Sequence, residues 1–199
     1  MAKYPSDLVR LIACIKKLPG VGTRTAERFA FRLLNWRPED LSLFSSMLSS
    51  IQETITRCPL CHCLADAGIC PFCSDATRDA SKLCIISSPK DAYAIEELGT
   101  YRGHYHVLGA LLSPLDDIAP EHIGIDGLKA RVQHVQPSEI ILALDSTLEA
   151  DATSLFLKEE LQDCGAHIFR LAFGIPMGSS LDFVDGGTLA RSFAGRQQF

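Results

Sequence analysis

The stretch RCPLCHCLADAGICPFCSD, residues 57–75, constrains the fold more than any other part of the chain, with five cysteines and a histidine between Cys58 and Cys73. Cys58-Pro59-Leu60-Cys61 and Cys70-Pro71-Phe72-Cys73 are two copies of C-P-x-C separated by eight residues that include Gly68. Two residues between cysteines let one tight turn present both sulfurs to a single ion, and proline pre-sets φ at that turn. Matched knuckles of this kind predict a tetrahedral zinc site with Cys58, Cys61, Cys70 and Cys73 as ligands. Cys63 sits two residues after Cys61, too close to share the turn, and nothing repeats it in the second knuckle. His62 and Cys63 therefore stay outside the ligand set. A pair of redox dithiols would need a βαβ pattern around one of the knuckles, and none surrounds them. Four cysteines leave no open coordination position, so the zinc is expected to be structural, one per chain. A segment of about twenty residues cannot bury a core of its own and takes its folding free energy from the ion.

The whole chain of 199 residues is 47% hydrophobic, enough for one core with an appendage or for two modest domains. It has no run of about eighteen apolar residues, and MAKYPSDLVR lacks the charged-then-apolar order of a secretory signal. The expected location is the cytoplasm, with no membrane partner. There the eight cysteines are read as metal ligands where clustered and as buried thiols where scattered, at Cys14, Cys84 and Cys164. A net charge of −5 argues against a uniformly basic surface, but the charge is uneven. Residues 1–57 hold nine Lys/Arg against five Asp/Glu, and residues 58–199 hold ten against nineteen. One end is suited to an anionic partner, although a solvated charged face would give the same count.

Within that basic end, Ser6 can cap a helix with Leu8, Leu11, Ile12 and Ile15 on one face, stopping near Leu18-Pro19-Gly20-Val21-Gly22. A second helix runs from Thr23 to about Leu34, with Ala26, Phe29, Ala30, Leu33 and Leu34 on one side and Arg24, Arg28 and Arg32 on another. The LPGVG stretch resembles the helix-hairpin-helix motif, in which Gly20 and Gly22 let backbone N–H groups approach a phosphate at the start of the second helix. Gly20, Gly22, Arg24, Arg28 and Arg32 are the candidate DNA-binding residues, reading backbone rather than base sequence. Phe31, off the apolar side, is read as a subunit or partner contact.

After the cysteines, Lys82–Ser87, Tyr105–Leu108, Glu139–Leu144 and His167–Ala172 read as strands. Helices are expected over Lys90–Leu98 and from the Asp145-Ser146-Thr147-Leu148-Glu149-Ala150-Asp151 stretch to about Cys164, with a terminal helix near Leu189–Ala194. The alternation predicts an α/β domain with a mostly parallel sheet covered on both faces and a functional edge at the carboxyl ends of the strands. It looks like a Toprim domain, the module of topoisomerases, primases and related nucleases. In that module a glutamate after the first strand and an Asp-x-Asp pair after a later one hold Mg²⁺. The resemblance places Ser87 at the glutamate position, Asp145 at the first aspartate and Thr147 at the second, with Glu149 and Asp151 following. A site lacking two of three carboxylates is a poor Mg²⁺ cage.

Taken in order, helix-hairpin-helix, four-cysteine finger, degenerate Toprim domain and C-terminal tail resemble the RecR family of bacterial recombination mediators. LPGVG with Arg24 and Arg28, SSPKDAYAIE, YHVLGALLSPLDDI, LEADAT and GIPMGSSLDFVDGGTLARSFAGR carry the likeness. Departures are Ser87 where a glutamate is usual, Ala150 where glycine is usual, and the extra Cys63. The resemblance implies a multi-lobed chain: 1–56 helix-hairpin-helix, 57–80 zinc finger, 81–173 Toprim domain, and 174–199 a loop and helix for subunit contact. It implies a non-catalytic protein that, with RecO and RecF, helps load RecA on gapped DNA coated by single-strand binding protein, as a ring-like tetramer associated with the nucleoid. A Mg²⁺-dependent nuclease or primase-like enzyme would need carboxylates at positions 87 and 147. A pure protein-interaction zinc module leaves the glycine hairpin and the arginines unexplained.

Overall fold

In a computed structural model, which describes residues 4–172 and 174–196, the chain divides between Thr54 and Ile55 into two units. The first holds three helices, α1 (Ser6–Ile15), α2 (Thr23–Leu33) and α3 (Pro38–Thr54). Ala26 and Ala30 of α2 are fully buried against Ile12 of α1, with Leu8, Leu11, Ile15 and Val21 around them. Two alanines on one face allow the close approach that a short hairpin demands. Phe29 and Leu34, expected on the same apolar side, are instead exposed. The contact is only wide enough for the two small residues. Ser6 is the first helical residue rather than the cap, since the cap position is Pro5 and no side chain caps the helix. α3 was not expected from the sequence. Pro38 at its start and Glu39 and Asp40 in its first turn favour a helix there, yet none of its residues is buried.

The second unit is built on a parallel four-stranded sheet in the order β4-β3-β5-β6, from β3 (Asp79–Ile86), β4 (Gly103–Val107), β5 (Glu139–Ala143) and β6 (His167–Arg170). A two-stranded antiparallel ribbon, β1 (Ile55–Arg57) with β2 (Leu64–Asp66), precedes it. The helices are α4 (Pro89–Glu97), α5 (Ile125–Val135), α6 (Leu148–Glu160) and α7 (Gly186–Ala194). Leu83-Cys84-Ile85-Ile86 is buried throughout, as a central parallel strand requires. Alternate residues divide it between two cores: Cys84 and Ile86 join Ala92 of α4 and the cysteine segment, and Leu83 and Ile85 join Leu128, Val132 and Leu157 of α5 and α6. Both faces are covered, as the alternating pattern predicts. α5 had no counterpart in the sequence reading.

At the start of the β3–β4 ladder the register shifts between Asp79 and Leu83, a bulge opposite Gly103. Gly103 is buried there, and a Cβ on it would lie 2.7 Å from the Cβ of Lys82 and collide with the Tyr101 ring. Gly103→Ala is accordingly expected to destabilise the fold by roughly 1–3 kcal/mol, measured by denaturant unfolding. An unchanged midpoint would mean that the bulge does not need a bare backbone.

Candidate metal centre and nucleic-acid interface

Two equivalent turns bring the cysteines together. In the first, the N–H of His62 donates to the carbonyl of Cys58 and the N–H of Cys58 donates to that of Cys63, with His62 in the left-handed region at φ 61°. In the second, the N–H of Ser74 donates to the carbonyl of Cys70. Between them Ala67 and Gly68, both at positive φ, close a two-residue hairpin from Asp66 to Ile69. The sulfurs of Cys58, Cys61, Cys70 and Cys73 all lie within 4.8 Å of one another, with Cys58–Cys73 at 3.9 Å and Cys61–Cys70 at 3.5 Å. A tetrahedron with metal–sulfur bonds of about 2.3 Å has sulfur–sulfur edges of about 3.8 Å. The donor set fits a closed, thiolate-bound divalent ion. The Cys63 thiol beside Cys61, together with burial, pushes Cys61 far above the ordinary thiol range; Cys61 and burial do the same to Cys73, and burial raises Cys70. Thiols placed like this stay protonated by themselves, and a dication at their centre is what would hold them as thiolates. Cys63 is buried but is not one of the clustered four.

This element is packed onto the sheet rather than standing alone. The N–H of Val107 donates to the Cys61 carbonyl, and His62 Nδ1 lies 3.2 Å from the Val107 carbonyl, so the free edge of β4 is paired. Phe72, between the second pair of cysteines, stacks edge-on against Tyr105 at 5.0 Å. The buried Arg78 guanidinium lies over both rings, pairs with Glu96 at 2.7 Å and donates to the Gly103 carbonyl. Tyr105 Oη also donates to Glu96. None of Arg78, Glu96 and Tyr105 carries a sequence signal for this role, because each partner comes from a different part of the chain. His106 is buried 5.1 Å from the His62 ring, and burial, with His62 and Arg131 adding, pushes it down to about 4. It is a packed neutral histidine and cannot touch a ligand from solvent. Of the scattered cysteines, Cys84 is buried, Cys164 is half-buried and Cys14 is exposed. Cys14 lies two residues from Ile12, on the opposite side of α1, which corrects its expected burial.

At the carboxyl edge of the sheet, Ser87 follows β3 and Asp145 follows β5. The Ser87 hydroxyl donates to Asp91, which also accepts from the Ser88 N–H at the start of α4. Thr147 caps α6, accepting from the N–H of Ala150. Asp145 is exposed and Glu149 half-buried. Asp151 pairs with Arg170 of β6 and, at 2.7 Å, with Arg191 of α7, and the Arg170 guanidinium first among these holds its carboxyl below the usual range. Among the described residues, only the four cysteines gather three or more potential metal ligands.

In the first unit Gly20 adopts φ +76°, which a side chain would disfavour, whereas Gly22 has an ordinary extended backbone. Gly22 therefore does not serve backbone freedom as expected; it is the N-cap of α2, with open space where a Cβ would stand. No side chain caps α2 and no acidic residue lies in its first turn, so its positive end is open. Arg24, Arg28 and Arg32 are exposed on α2, and Arg28 lies over the Phe29 ring. Phe31 packs edge-on against Tyr4 at 5.5 Å while staying partly exposed.

Residues 8–51 match the family model described as RecR, helix-hairpin-helix, residues 81–172 match Toprim domain, and residues 174–197 match RecR, C-terminal. The Recombination protein RecR of Protochlamydia amoebophila is 53% identical over 197 residues, covering 99% of this chain and 100% of the relative. Those of Chlamydia abortus and Chlamydia felis are each 47% identical, over 100% of both chains. The chain belongs to the RecR family. Its cysteine segment lies between the stretches matched by the RecR helix-hairpin-helix model and the Toprim model. No helix among the described residues is long and apolar enough to cross a membrane.

The sulfur geometry predicts one metal ion per chain. Cys58→Ser and Cys70→Ser should lower metal content and thermal stability, and Cys63→Ser should leave metal content unchanged. Elemental analysis of the purified proteins decides: full retention in Cys70→Ser, or loss in Cys63→Ser, would show the ligand set to be wrong.

Proposed function

We propose that this chain is a non-catalytic DNA-binding recombination mediator that works with RecO and RecF to load RecA on gapped DNA coated by single-strand binding protein. The observation that carries the DNA reading is the open amino terminus of α2 beside three exposed arginines that form no ion pair among the described residues. Gly20 shapes the turn, Gly22 leaves room for a phosphate at the first N–H groups of α2, and Arg24, Arg28 and Arg32 reach successive phosphates along the backbone. Such contacts read the backbone and are indifferent to base sequence. Full-length similarity to bacterial proteins named Recombination protein RecR supports a role in recombination, and a nucleoid-associated setting belongs to the same reading.

The ion held by Cys58, Cys61, Cys70 and Cys73 is read as Zn²⁺, which four thiolates in a tetrahedron favour and which would supply cross-linking rather than catalysis. The domain reading follows the sequence: DNA contact in 1–56, metal staple in 57–80, a Toprim scaffold in 81–173 and subunit contact in 174–199. Exposed apolar residues of α3, among them Leu43, Met47 and Leu48, and Phe183 and Phe193 in the tail, support assembly into a tetrameric ring.

A metal-dependent nuclease or primase is disfavoured by the residues at the sheet edge. Phosphoryl transfer needs carboxylates free to hold Mg²⁺. Here Ser87 and Thr147 are engaged with helix starts and Asp151 with two arginines, leaving Asp145 and Glu149 as the remaining carboxylates of the set. Ser87, Asp145, Thr147, Glu149 and Asp151 are thus proposed as a degenerate site serving the scaffold.

The test is DNA binding by the full-length protein over a range of salt, with and without Mg²⁺. Arg24→Ala with Arg28→Ala should weaken binding to all sequences alike and lower the salt slope by roughly one per arginine, leaving metal content and assembly intact, and neither protein should cut DNA. Unchanged affinity and slope would remove DNA contact from this hairpin. Mg²⁺-dependent cleavage lost in Asp145→Asn would restore the enzyme reading.

A further inference from the structure

Arg131 lies on α5 and is 7% exposed. Its Nη2 donates to Cys73 Sγ at 3.5 Å, its Nε is buried without a partner, and no carboxylate of the described residues pairs with it. Four residues earlier on the same helix, the position of Gly127 faces the His62 ring, so one side of α5 runs along the cysteine element. The neighbouring rings of His104 and His106 bring no negative charge. A buried guanidinium without an anion is strongly unfavourable, and buried charges persist where they are paired. The group that Arg131 meets is a sulfur, and sulfur is an anion here only as a metal-bound thiolate. A divalent ion with four thiolates carries a net charge of about −2, which is in turn costly to bury without a cation. The two halves complete one another.

We propose that Arg131 is the counter-charge of the four-cysteine metal centre, a positioning residue that donates to the Cys73 thiolate and slows loss of the metal. This rests on the reading of Cys58, Cys61, Cys70 and Cys73 as metal ligands. Donation from a cation draws electron density from the sulfur, making that thiolate harder to protonate or to capture by an electrophile, and it ties α5 to the second knuckle. Because the charge is the essential property, lysine should substitute in large part and a neutral donor should not.

The experiment uses the full-length protein and its Arg131→Lys and Arg131→Gln variants, loaded with Zn²⁺ or Co²⁺. Metal content, the rate of zinc release to a chromophoric chelator, the sulfur-to-cobalt charge-transfer band and the far-ultraviolet circular dichroism are recorded. Arg131→Gln should release zinc about tenfold faster or more, the scale found for partners of metal ligands, with its cobalt band moved to lower energy and its circular dichroism unchanged. Arg131→Lys should stay within about threefold of the unaltered protein. A folded Arg131→Gln protein with unaltered release and band overturns the proposal while the metal reading stands. Equal failure of lysine and glutamine also overturns it, since charge would not be the cause. An unaltered protein that binds neither ion refutes the metal reading itself. Should Arg131→Gln fail to fold, the lysine variant decides by the same threefold and tenfold limits.

Discussion

Four sulfurs within 4.8 Å of one another are the constraint on which the second unit depends. Crowded thiols without a cation gain little from proximity: Cys63 and burial raise Cys61, Cys61 and burial raise Cys73, and burial raises Cys70, all toward the neutral form. With a divalent ion, the same crowding becomes a cross-link between two turns separated by a hairpin. Its consequence reaches the sheet, since the Cys61 carbonyl and the His62 ring pair with Val107 on an edge strand that would otherwise present open hydrogen-bonding groups. Phe72, between the second pair of cysteines, then fixes the Arg78, Glu96 and Tyr105 network at the other end of β4. Knuckles and edge strand form one packed core.

At the carboxyl edge of the same sheet, several polar groups are taken up by structural contacts. Ser87 turns to Asp91, Thr147 caps α6, and Asp151 takes two arginines, one from β6 and one from α7, while Asp145 stays exposed. Those bonds stabilise helix starts and dock the C-terminal helix.

The parts of this architecture that were legible in the sequence are those encoded locally. Twin C-P-x-C knuckles fix a ligand set because the turn that joins each pair spans only four residues. Leu83–Ile86 of β3 and Ile140–Ala143 of β5 announce themselves as unbroken apolar runs, and the LPGVG turn follows from the left-handed backbone required at Gly20. What stayed hidden depends on distant partners. α5 is amphipathic only with respect to a sheet assembled from other segments, and α3 is rich in serine and buries none of its residues. Arg78 and Arg131 look like ordinary surface cations until the fold places one over two rings and the other against Cys73. Cys14 misled because its neighbours in sequence are apolar while its side of α1 is exposed.

The most direct test of this account is amide hydrogen exchange across β4 and β5, followed by mass spectrometry before and after the metal is withdrawn with a chelator. If the metal-centred knuckles hold the edge strand, the peptide containing 103–108 should lose protection on withdrawal, while that containing 140–143, in the interior of the sheet, should keep most of its own. Equal protection of 103–108 with and without metal would contradict the central claim and make the cysteine element an ornament on a sheet that stands without it.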